Sequence, residues 1–539
     1  MSRRQVLGGG VAMMATASGL LAAGCQSTDR KPTAQPKSVT LPSYIPFEGV
    51  KPDLAGTADI APGFLAYPAN PTRTIMEPPI KGGTASAIVR LYSAAPPGAD
   101  RNSFWKALDG RLGAQLRFTM VPDGEYAQKF AVTMAGNDIP DFALIDPLMP
   151  RQPDLLKARF APLTEFLAGD AIKEYPFLAA IPTDAWRATA VNGELYGLPI
   201  PRAVTGAAMF VRTDLVAEKK LDAQPTSFEE FRELCKALTD TRKNRWAMGG
   251  PNEILAFVQE MLGVPNSWSV DAGGTFKPVW DTDEMRQAID AISLLIKDGV
   301  FHPDSFTSDP VIRKTWLGAS TIAITYDGYS AWPGFVTTYR QGNPTFAIDA
   351  MVAPGYGGGK GTHRGGPPTL GVVALKKADK GRIADLLRLA NWLAAPFGTE
   401  EYLFRRYGVP GQHYTLNGSD PVRTEKGKVE VALPTGYITD SAYALYLPGE
   451  PDVVQAWHDF QKRAVAVLVK DPTVGLYSET AGSKGGRLSE QLQTRWMDIF
   501  AGRKPASTWP DAVAAWHKNG GDDIAREYET AYAALHGGS

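Results

Sequence analysis

Short apolar runs typical of β-strands alternate along the chain with apolar residues spaced as on one face of a helix. The strand candidates are 87–92, 142–145, 321–325, 346–352 and 371–375. One helical face is marked by Met285, Ile289, Ile292, Leu295 and Ile296, and another by Ile383, Leu386, Leu387, Ala390 and Leu393. This alternation predicts an α/β fold in which helices cover the sheets.

Further helical signals lie in the middle and at the end of the chain. Ser227 and Glu230, just after Pro225, have the spacing of a capping box. The apolar positions that follow repeat with helical spacing and include Cys235, which we therefore expect to face a core. Residues 450–535 show an almost wholly helical pattern, and no internal repeat is visible.

Length and composition favour a large globular protein. A chain of 539 residues exceeds the size at which single cores stop growing, so two lobes are expected. Hydrophobic residues make up 44% and charged residues 21%, which argues against long disorder. The 56 basic and 57 acidic side chains nearly balance, so nothing favours nucleic acid as a partner. Two cysteines are too few for a disulfide framework.

The first 25 residues predict export and attachment to a lipid. Ser2-Arg3-Arg4-Gln5-Val6-Leu7 resembles a twin-arginine signal, and Ala22-Ala23-Gly24-Cys25 resembles a lipobox, although Leu usually stands at the place of Ala22. The apolar stretch between them is shorter than a membrane span, and no second apolar segment is long enough. We predict that residues 1–24 are removed and that Cys25 carries lipid. A plain secretory signal with a free cysteine is the alternative, and the general export route stays open.

Catalytic and metal-binding motifs were sought by spacing, and none fits. The six histidines are scattered and form no HExxH pair. The glycine-rich segment 355–361 lacks the Ser or Thr that follows Gly-Lys in a phosphate loop, so it is better read as a flexible crossover. Sequence alone cannot set the separation of a carboxylate pair. We therefore expect neither an enzyme nor a cofactor or metal site.

Several motifs, in order, resemble those of bacterial extracellular solute-binding proteins of the sugar-binding, maltose-receptor-like family 1. They are Ala135-Gly136-Asn137-Asp138-Ile139-Pro140-Asp141-Phe142, Gly193-Glu194-Leu195-Tyr196-Gly197-Leu198-Pro199, Met209 to Leu215, and Pro225-Thr226-Ser227-Phe228-Glu229-Glu230. The segments 298–304 and 407–414 are similar to motifs of the large lipoprotein branch. The resemblance spans roughly residues 84 to 535.

The resemblance implies a two-lobe periplasmic-binding-protein-like fold with a ligand cleft between the lobes. We expect three crossing segments, near 199–206, near 354–366 and near Gly408, with a helical C-terminal region. The predicted division is a lipid-anchored linker over 25–83, a first lobe over 84–204 and 354–409, and a second lobe over 205–353 and 410–539.

The resemblance also implies the function. The protein would capture a carbohydrate, favoured as an oligosaccharide, and deliver it to the permease subunits of an ABC transporter by ligand-driven closure of the lobes. We expect a monomer held by lipid on the outer face of the cell membrane. A lipid-anchored carbohydrate-active enzyme and a sugar sensor without a transport role are the alternatives.

Candidate ligand contacts are aromatic and polar residues at strand ends, since sugars offer CH faces for stacking and hydroxyls for hydrogen bonds. In the resembling family, an aromatic residue after a strand that ends in Gly often stacks on sugar. Tyr329 and Trp332, beside Asp327, stand at that place, with packing inside the lobe as the alternative. The remaining candidates are Asp146, Arg202, Tyr92, Tyr356 and Arg364, whereas Trp186 and Trp268 are assigned to packing.

Overall fold

Two β-sheets, each covered by helices, form the framework of the protein. The structure, a computed structural model, describes residues 39–92, 94–136, 138–146 and 149–536. The predicted signal segment and Cys25 lie outside these residues. The strands are β1 (Thr84–Leu91), β2 (Gln115–Pro122), β3 (Phe142–Ile145), β4 (Ala190–Val191), β5 (Glu194–Leu195), β6 (Leu198–Pro201), β7 (Ala207–Arg212), β8 (Trp246–Met248), β9 (Trp268–Val270), β10 (Phe276–Pro278), β11 (Ile322–Gly328), β12 (Ile348–Met351), β13 (His363–Arg364), β14 (Thr369–Leu375), β15 (Tyr414–Asn417), β16 (Asp420–Arg423) and β17 (Leu468–Val469).

The larger sheet has the order β2-β1-β3-β14-β6 and belongs to the first lobe. Strand β1 pairs in parallel with β2 and β3, whereas β14 runs antiparallel to β3 and β6. Strand β3 is buried at all four positions, as expected of a central strand with both faces covered. The second lobe contains the sheet β12-β7-β11-β8. The predicted α/β fold with two lobes is confirmed.

The helices pack on both faces of these sheets. They are α1 (Ser103–Leu112), α2 (Tyr126–Ala135), α3 (Gln152–Arg159), α4 (Thr164–Leu167), α5 (Pro176–Ala179), α6 (Thr183–Arg187), α7 (Thr213–Glu218), α8 (Phe228–Leu238), α9 (Pro251–Met261), α10 (Asp283–Lys297), α11 (Pro310–Gly318), α12 (Trp332–Tyr339), α13 (Lys380–Leu393), α14 (Glu400–Tyr407), α15 (Glu425–Glu430), α16 (Pro451–Val465), α17 (Gly486–Phe500), α18 (Trp509–Trp516) and α19 (Asp522–His536). Within the described part of the chain, no helix is long and apolar enough to cross a membrane.

The helix that holds Cys235 forms as its pattern predicts. The Ser227 hydroxyl accepts a hydrogen bond from the Glu230 N–H at 3.2 Å and so caps α8. Cys235 is fully buried in the core of the second lobe, which confirms that it packs there. Burial raises the pKa of its thiol, so the side chain is unreactive.

Three connections join the lobes, and the sequence misplaced one of them. The chain passes between the sheets after β6 and again between β12 and β14. It crosses a third time between Ile438, in the first core, and Leu445, in a core on the second sheet. The crossing predicted at Gly408, and with it the boundary after 409, comes too early. Gly408 has a φ of 86° and ends α14, and the chain that follows stays on the first lobe, where Val431 joins the core.

The predicted linker is docked over its described part, 39–83. Phe64 and Tyr67 are buried against Phe397, with ring centroids 4.2 and 4.9 Å apart, just beyond α13 of the first lobe. The Ala61 N–H donates to Oε1 of Gln461, on α16 of the second lobe, at 3.1 Å. The Pro- and Gly-rich sequence of this segment predicts a tether in which residues 64–67 can dock on the body, and the described part contacts both lobes.

Candidate functional site

Three of the sequence candidates lie at one edge of the first sheet. Strands β1, β3 and β6 point the same way, because β1 and β3 are parallel and β14 is antiparallel to both β3 and β6. Tyr92, Asp146 and Arg202 each follow one of these strands directly. The carboxyl edge of such a sheet is where α/β proteins place their ligands.

Arg90 connects two of these residues. Its Nη2 donates to both oxygens of Asp146, at 2.9 and 2.7 Å, and its Nη1 donates to the Tyr92 hydroxyl at 3.4 Å. Its Nε lies 3.3 Å from the Asp123 carboxylate. The guanidinium therefore orients Asp146 and balances its charge, while the Tyr92 side chain stays 52% exposed.

Tyr437 extends this edge from a part of the chain that the sequence did not single out. Its ring centroid lies 5.8 Å from that of Tyr92. Burial raises the pKa of Tyr437, and the neighbouring Arg202 guanidinium partly opposes that rise. Tyr92, Tyr437 and Arg202 thus form one half-exposed group on the first lobe.

A cavity of about 830 Å³ lies between the lobes, and Asp146 is one of the residues that line it. Its first wall comes from α2, the end of β3 and α3, with Phe130, Met134 and Leu155 among its apolar side chains. Its second wall comes from β9, the segment after β17 and helices α17 to α19. The volume lies within the roughly 300 to 1,000 Å³ typical of sites for small molecules.

Aromatic rings dominate the wall of the second lobe. Trp268, at the start of β9, is half-buried, and its ring centroid lies 5.9 Å from that of Trp516 and 5.5 Å from that of Tyr528. Trp280 is also half-buried and packs 5.9 Å from Trp496. Each ring is held by a neighbour while part of it faces the cavity, an arrangement suited to stacking on a flat apolar surface of a ligand.

The charged side chains that line the cavity are the carboxylates of Asp146 and Asp471. Oδ1 of Asp471 accepts from the N–H and the hydroxyl of Thr473, at 2.8 and 2.7 Å. Asp146 stands on the opposite wall. Among the described residues that line the cavity there is no Lys, Arg or His. No group of His, Cys, Asp or Glu in the described ranges is arranged to hold a metal ion.

A sequence model of the bacterial extracellular solute-binding proteins matches residues 98–398, more than half of the chain. The chain belongs to this family. The resemblance predicted from the sequence motifs is confirmed, and the cavity of this solute-binding protein lies where its two lobes face each other.

Similar proteins cover nearly the whole of this solute-binding protein. The lipoprotein LipO of Bacillus subtilis is 23% identical over 83% of this chain and 92% of its own length. The polygalacturonan/rhamnogalacturonan-binding protein YtcQ of the same species is also 23% identical, over 82% and 90%. The N-glycan transport solute-binding protein NgtS of Streptococcus pneumoniae has the same fold, with a TM-score of 0.62 at 15% identity over 85% of this chain and 99% of its own.

The two residues that the sequence favoured as sugar stackers are core residues. Tyr329 and Trp332 are 1% and 0% exposed. The Tyr329 ring centroid lies 5.5 Å from that of Trp457 and 5.8 Å from that of Phe460, and its hydroxyl donates to the Trp457 carbonyl at 3.1 Å. Helix α16 covers this face of the second sheet. The prediction that these rings line the cleft is therefore wrong, and the alternative of packing inside the lobe holds.

Asp327 and Tyr356 also lie away from the cavity lining. Asp327 is half-buried and pairs with Lys314 at 3.2 Å. The Tyr356 ring stacks on Phe228, with centroids 4.6 Å apart, and packs against the second core. Both side chains have partners in the same lobe, so neither needs a ligand to complete its contacts.

Arg364 is half-buried just outside the cavity. Its Nη1 donates to Gln259 at 2.5 Å, its Nη2 donates to the Pro265 carbonyl at 2.7 Å, and its N–H donates to Glu260 at 2.9 Å. Burial raises the pKa of Glu260 to about 8, and the bond from Arg364 opposes that rise. Arg364 also interacts electrostatically with the cavity residue Asp471.

The sequence missed most of the aromatic wall. Trp186 is buried in the first core, as assigned, but Trp268 both packs on the second core and faces the cavity. Trp268 begins β9 and has Ser on both sides, so it does not meet the criterion of an aromatic residue beside Asp, Asn or Arg at a strand end. Asp471 and Tyr528 carry no such local signal, because they reach the cavity only through the packing of the C-terminal helices.

Proposed function

We propose that this protein captures a carbohydrate, most simply an oligosaccharide, in the cavity between its lobes and delivers it to the permease subunits of an ABC transporter. The observation that carries the proposal is the pairing of half-buried Trp268 and Trp280 with the carboxylates of Asp146 and Asp471 around one cavity. Rings can stack on the CH faces of a sugar, and carboxylates accept hydrogen bonds from its hydroxyls.

Closure follows from the position of the cavity. A solute that touches both walls gains contacts as the lobes approach, so it binds the closed arrangement more tightly than the open one. The permease would then recognise the closed form. The names of two similar proteins support a carbohydrate, since YtcQ is named for binding polygalacturonan and rhamnogalacturonan and NgtS for N-glycan transport.

The proposed location is the outer face of the cell membrane, where lipid on Cys25 would hold a monomer. The signal-like segment before Cys25 and the lipoprotein LipO as a relative support it. Cys25→Ser should release the protein from membranes, as measured by fractionation and blotting. The anchor proposal fails if the variant stays in the membrane fraction.

A panel of oligosaccharides tested by calorimetry and thermal shift examines the binding function. For the sugar that binds best, Trp280→Ala should lower the affinity about 5- to 150-fold, because losing a stacked ring removes ~1 to 3 kcal/mol. Trp316→Ala is the matched control, since Trp316 is also half-buried but stacks on His302 outside the cavity lining. Equal affinities of both variants and the parent would show that sugar binds elsewhere.

We also propose that binding involves neither turnover nor metal. Incubation of the purified protein with the bound sugar should leave the sugar intact in chromatography, and a chelator should leave the affinity unchanged. Cleavage of the sugar would favour the carbohydrate-active enzyme instead.

A further inference from the structure

We infer that the solute is an uncharged oligosaccharide and that the cavity discriminates against sugars bearing carboxylates. The inference rests on the proposed function and names the substrate class of the same site. It concerns the charge of the ligand, for which the name of YtcQ, a polygalacturonan/rhamnogalacturonan-binding protein, is no guide to this cavity.

The charged side chains that line the cavity are acidic. Asp146 and Asp471 stand on opposite walls, and the described lining residues supply no Lys, Arg or His. Arg90 balances the charge of Asp146, so a ligand carboxylate held between these walls would be repelled mainly by Asp471, which forms no ion pair with any described residue. The ligand carboxylate would also lack the guanidinium or ammonium donors that usually bind carboxylates.

The arginines near the cavity are engaged by other protein groups. Nη2 of Arg90 donates hydrogen bonds to both carboxylate oxygens of Asp146. Arg364 donates to Gln259 and to the Pro265 carbonyl, and neither guanidinium lines the cavity. Arg90 holds Asp146 in place, and the Nη atoms of both arginines already donate to protein acceptors, so neither guanidinium is positioned to bind a ligand anion in the cavity.

The remaining lining fits a neutral sugar. Trp268 and Trp280 line one wall, and Phe130 and Met134 are among the lining residues of the other, so apolar surface is available on both sides of a bound pyranose ring. The oxygens of Asp146 and Asp471 are acceptors for the outward hydroxyls, which are the donors that every neutral sugar offers. The lining therefore complements hydroxyls and CH faces and opposes carboxylates.

Arg202 is the cation from which an acidic ligand could draw a countercharge outside the cavity. It follows β6 at the same sheet edge as Asp146, and its Nη1 donates to the Pro201 carbonyl at 2.9 Å. It is half-buried and is not part of the cavity lining. An acidic ligand would have to extend beyond the cavity and draw its countercharge from Arg202.

The test uses pairs of trisaccharides built from glucose, galactose or mannose units. The two members of a pair are identical except at C6, where one carries a hydroxymethyl group and the other a carboxylate. Calorimetry with the purified mature chain should show binding of a neutral member and at least tenfold weaker binding of its acidic counterpart. The affinity for the neutral member should not change with salt concentration, since no ligand charge is involved.

Asp471→Asn should lower the ratio of the affinities for the neutral and the acidic member about tenfold. The substitution removes the repulsion of the ligand carboxylate and leaves the size of the side chain unchanged. Asp304→Asn is the control, since its exposed carboxylate lies outside the cavity lining. An unchanged preference in Asp471→Asn would remove Asp471 from the recognition of charge and overturn the inference.

Two further outcomes separate this inference from the proposed function. If an acidic member binds as well as or better than its neutral counterpart, and Arg202→Gln abolishes that binding, the inference falls while carbohydrate capture stands. If no member of either class binds, and a wider panel of sugars gives the same result, the proposed function itself fails.

Discussion

At the scale of single residues, the cavity depends on side chains that are held by neighbours outside it. Arg90 fixes Asp146 from the first sheet, and Thr473 fixes Asp471 on the second lobe. A carboxylate that is already oriented loses little freedom when a ligand arrives, so its hydrogen bonds contribute more to affinity. By contrast, the buried Tyr329 and Trp332 contribute to stability alone.

The difference between core and site rings can be measured directly. Trp332→Ala should lower the free energy of unfolding by about 3 to 5 kcal/mol, because it opens a large cavity in a closely packed core. Tyr92→Ala should leave the melting temperature nearly unchanged, since its ring is half-exposed. Thermal melts and calorimetry check both expectations. If Trp332→Ala keeps the melting temperature of the parent but loses its affinity for sugar, Trp332 contacts the ligand and is not a core residue.

Glu430 should make stability depend on acid. Although burial alone would raise its pKa, hydrogen bonds from the Ser103 hydroxyl, at 2.6 Å, and from other donors at the start of α1 lower the pKa to about 2. The folded pKa lies below the unfolded value of about 4.3, so the stabilisation is complete above that pH and is lost as the pH falls toward 2. Glu430→Gln should therefore lower the melting temperature at pH 7, and this difference from the parent should shrink below pH 4. A difference that is constant with pH would contradict the assignment.

At the scale of elements, the crossing segments are packed against each other by glycines. Gly206, with a φ of 63°, precedes β7, and a Cβ there would lie 2.6 Å from the Gly366 nitrogen in the second crossing. The Gly366 N–H also donates to the Val204 carbonyl at 2.8 Å. These backbone contacts tie two crossings together, so we expect them to set the axis about which the lobes move.

Gly206→Ala tests this contact. The left-handed φ alone should cost about 1 to 2 kcal/mol, and the collision with Gly366 should add to it. Gly299→Ala is the control, because Gly299 has a φ of 71° with open space around a new Cβ. Gly206→Ala should melt lower than the control and bind sugar more weakly. Equal melting temperatures would mean that the two crossings are not tightly packed.

At the scale of the whole molecule, we propose that binding and lobe movement are one process. The cavity takes one wall from each lobe, so a bound sugar would stabilise the arrangement in which the walls are close. The docked segment 39–83 also contacts both lobes, through Phe397 and Gln461, and must accommodate any such movement. The N-terminal part of the described chain is thus joined to both lobes.

Small-angle scattering should record the closure. Addition of the best-binding sugar is expected to reduce the radius of gyration, and Trp280→Ala should need more sugar to reach the same value. Binding by calorimetry without any change in scattering would show that the lobes do not close on the ligand.

The sequence by itself determined the elements and the family, because both are written in local patterns. Apolar periodicity predicted β3 and the helix of Cys235, and the ordered motifs predicted the two-lobe fold. The same local reasoning selected Tyr92, Asp146 and Arg202 because each directly follows a strand, and of the three Asp146 alone lines the cavity. Only the tertiary structure decided which aromatic rings face the cavity. Burial of Trp332 depends on α16 packing over it, and exposure of Trp280 depends on where the C-terminal helices end. Such contacts join residues that are far apart in the chain, and no spacing along the sequence encodes them.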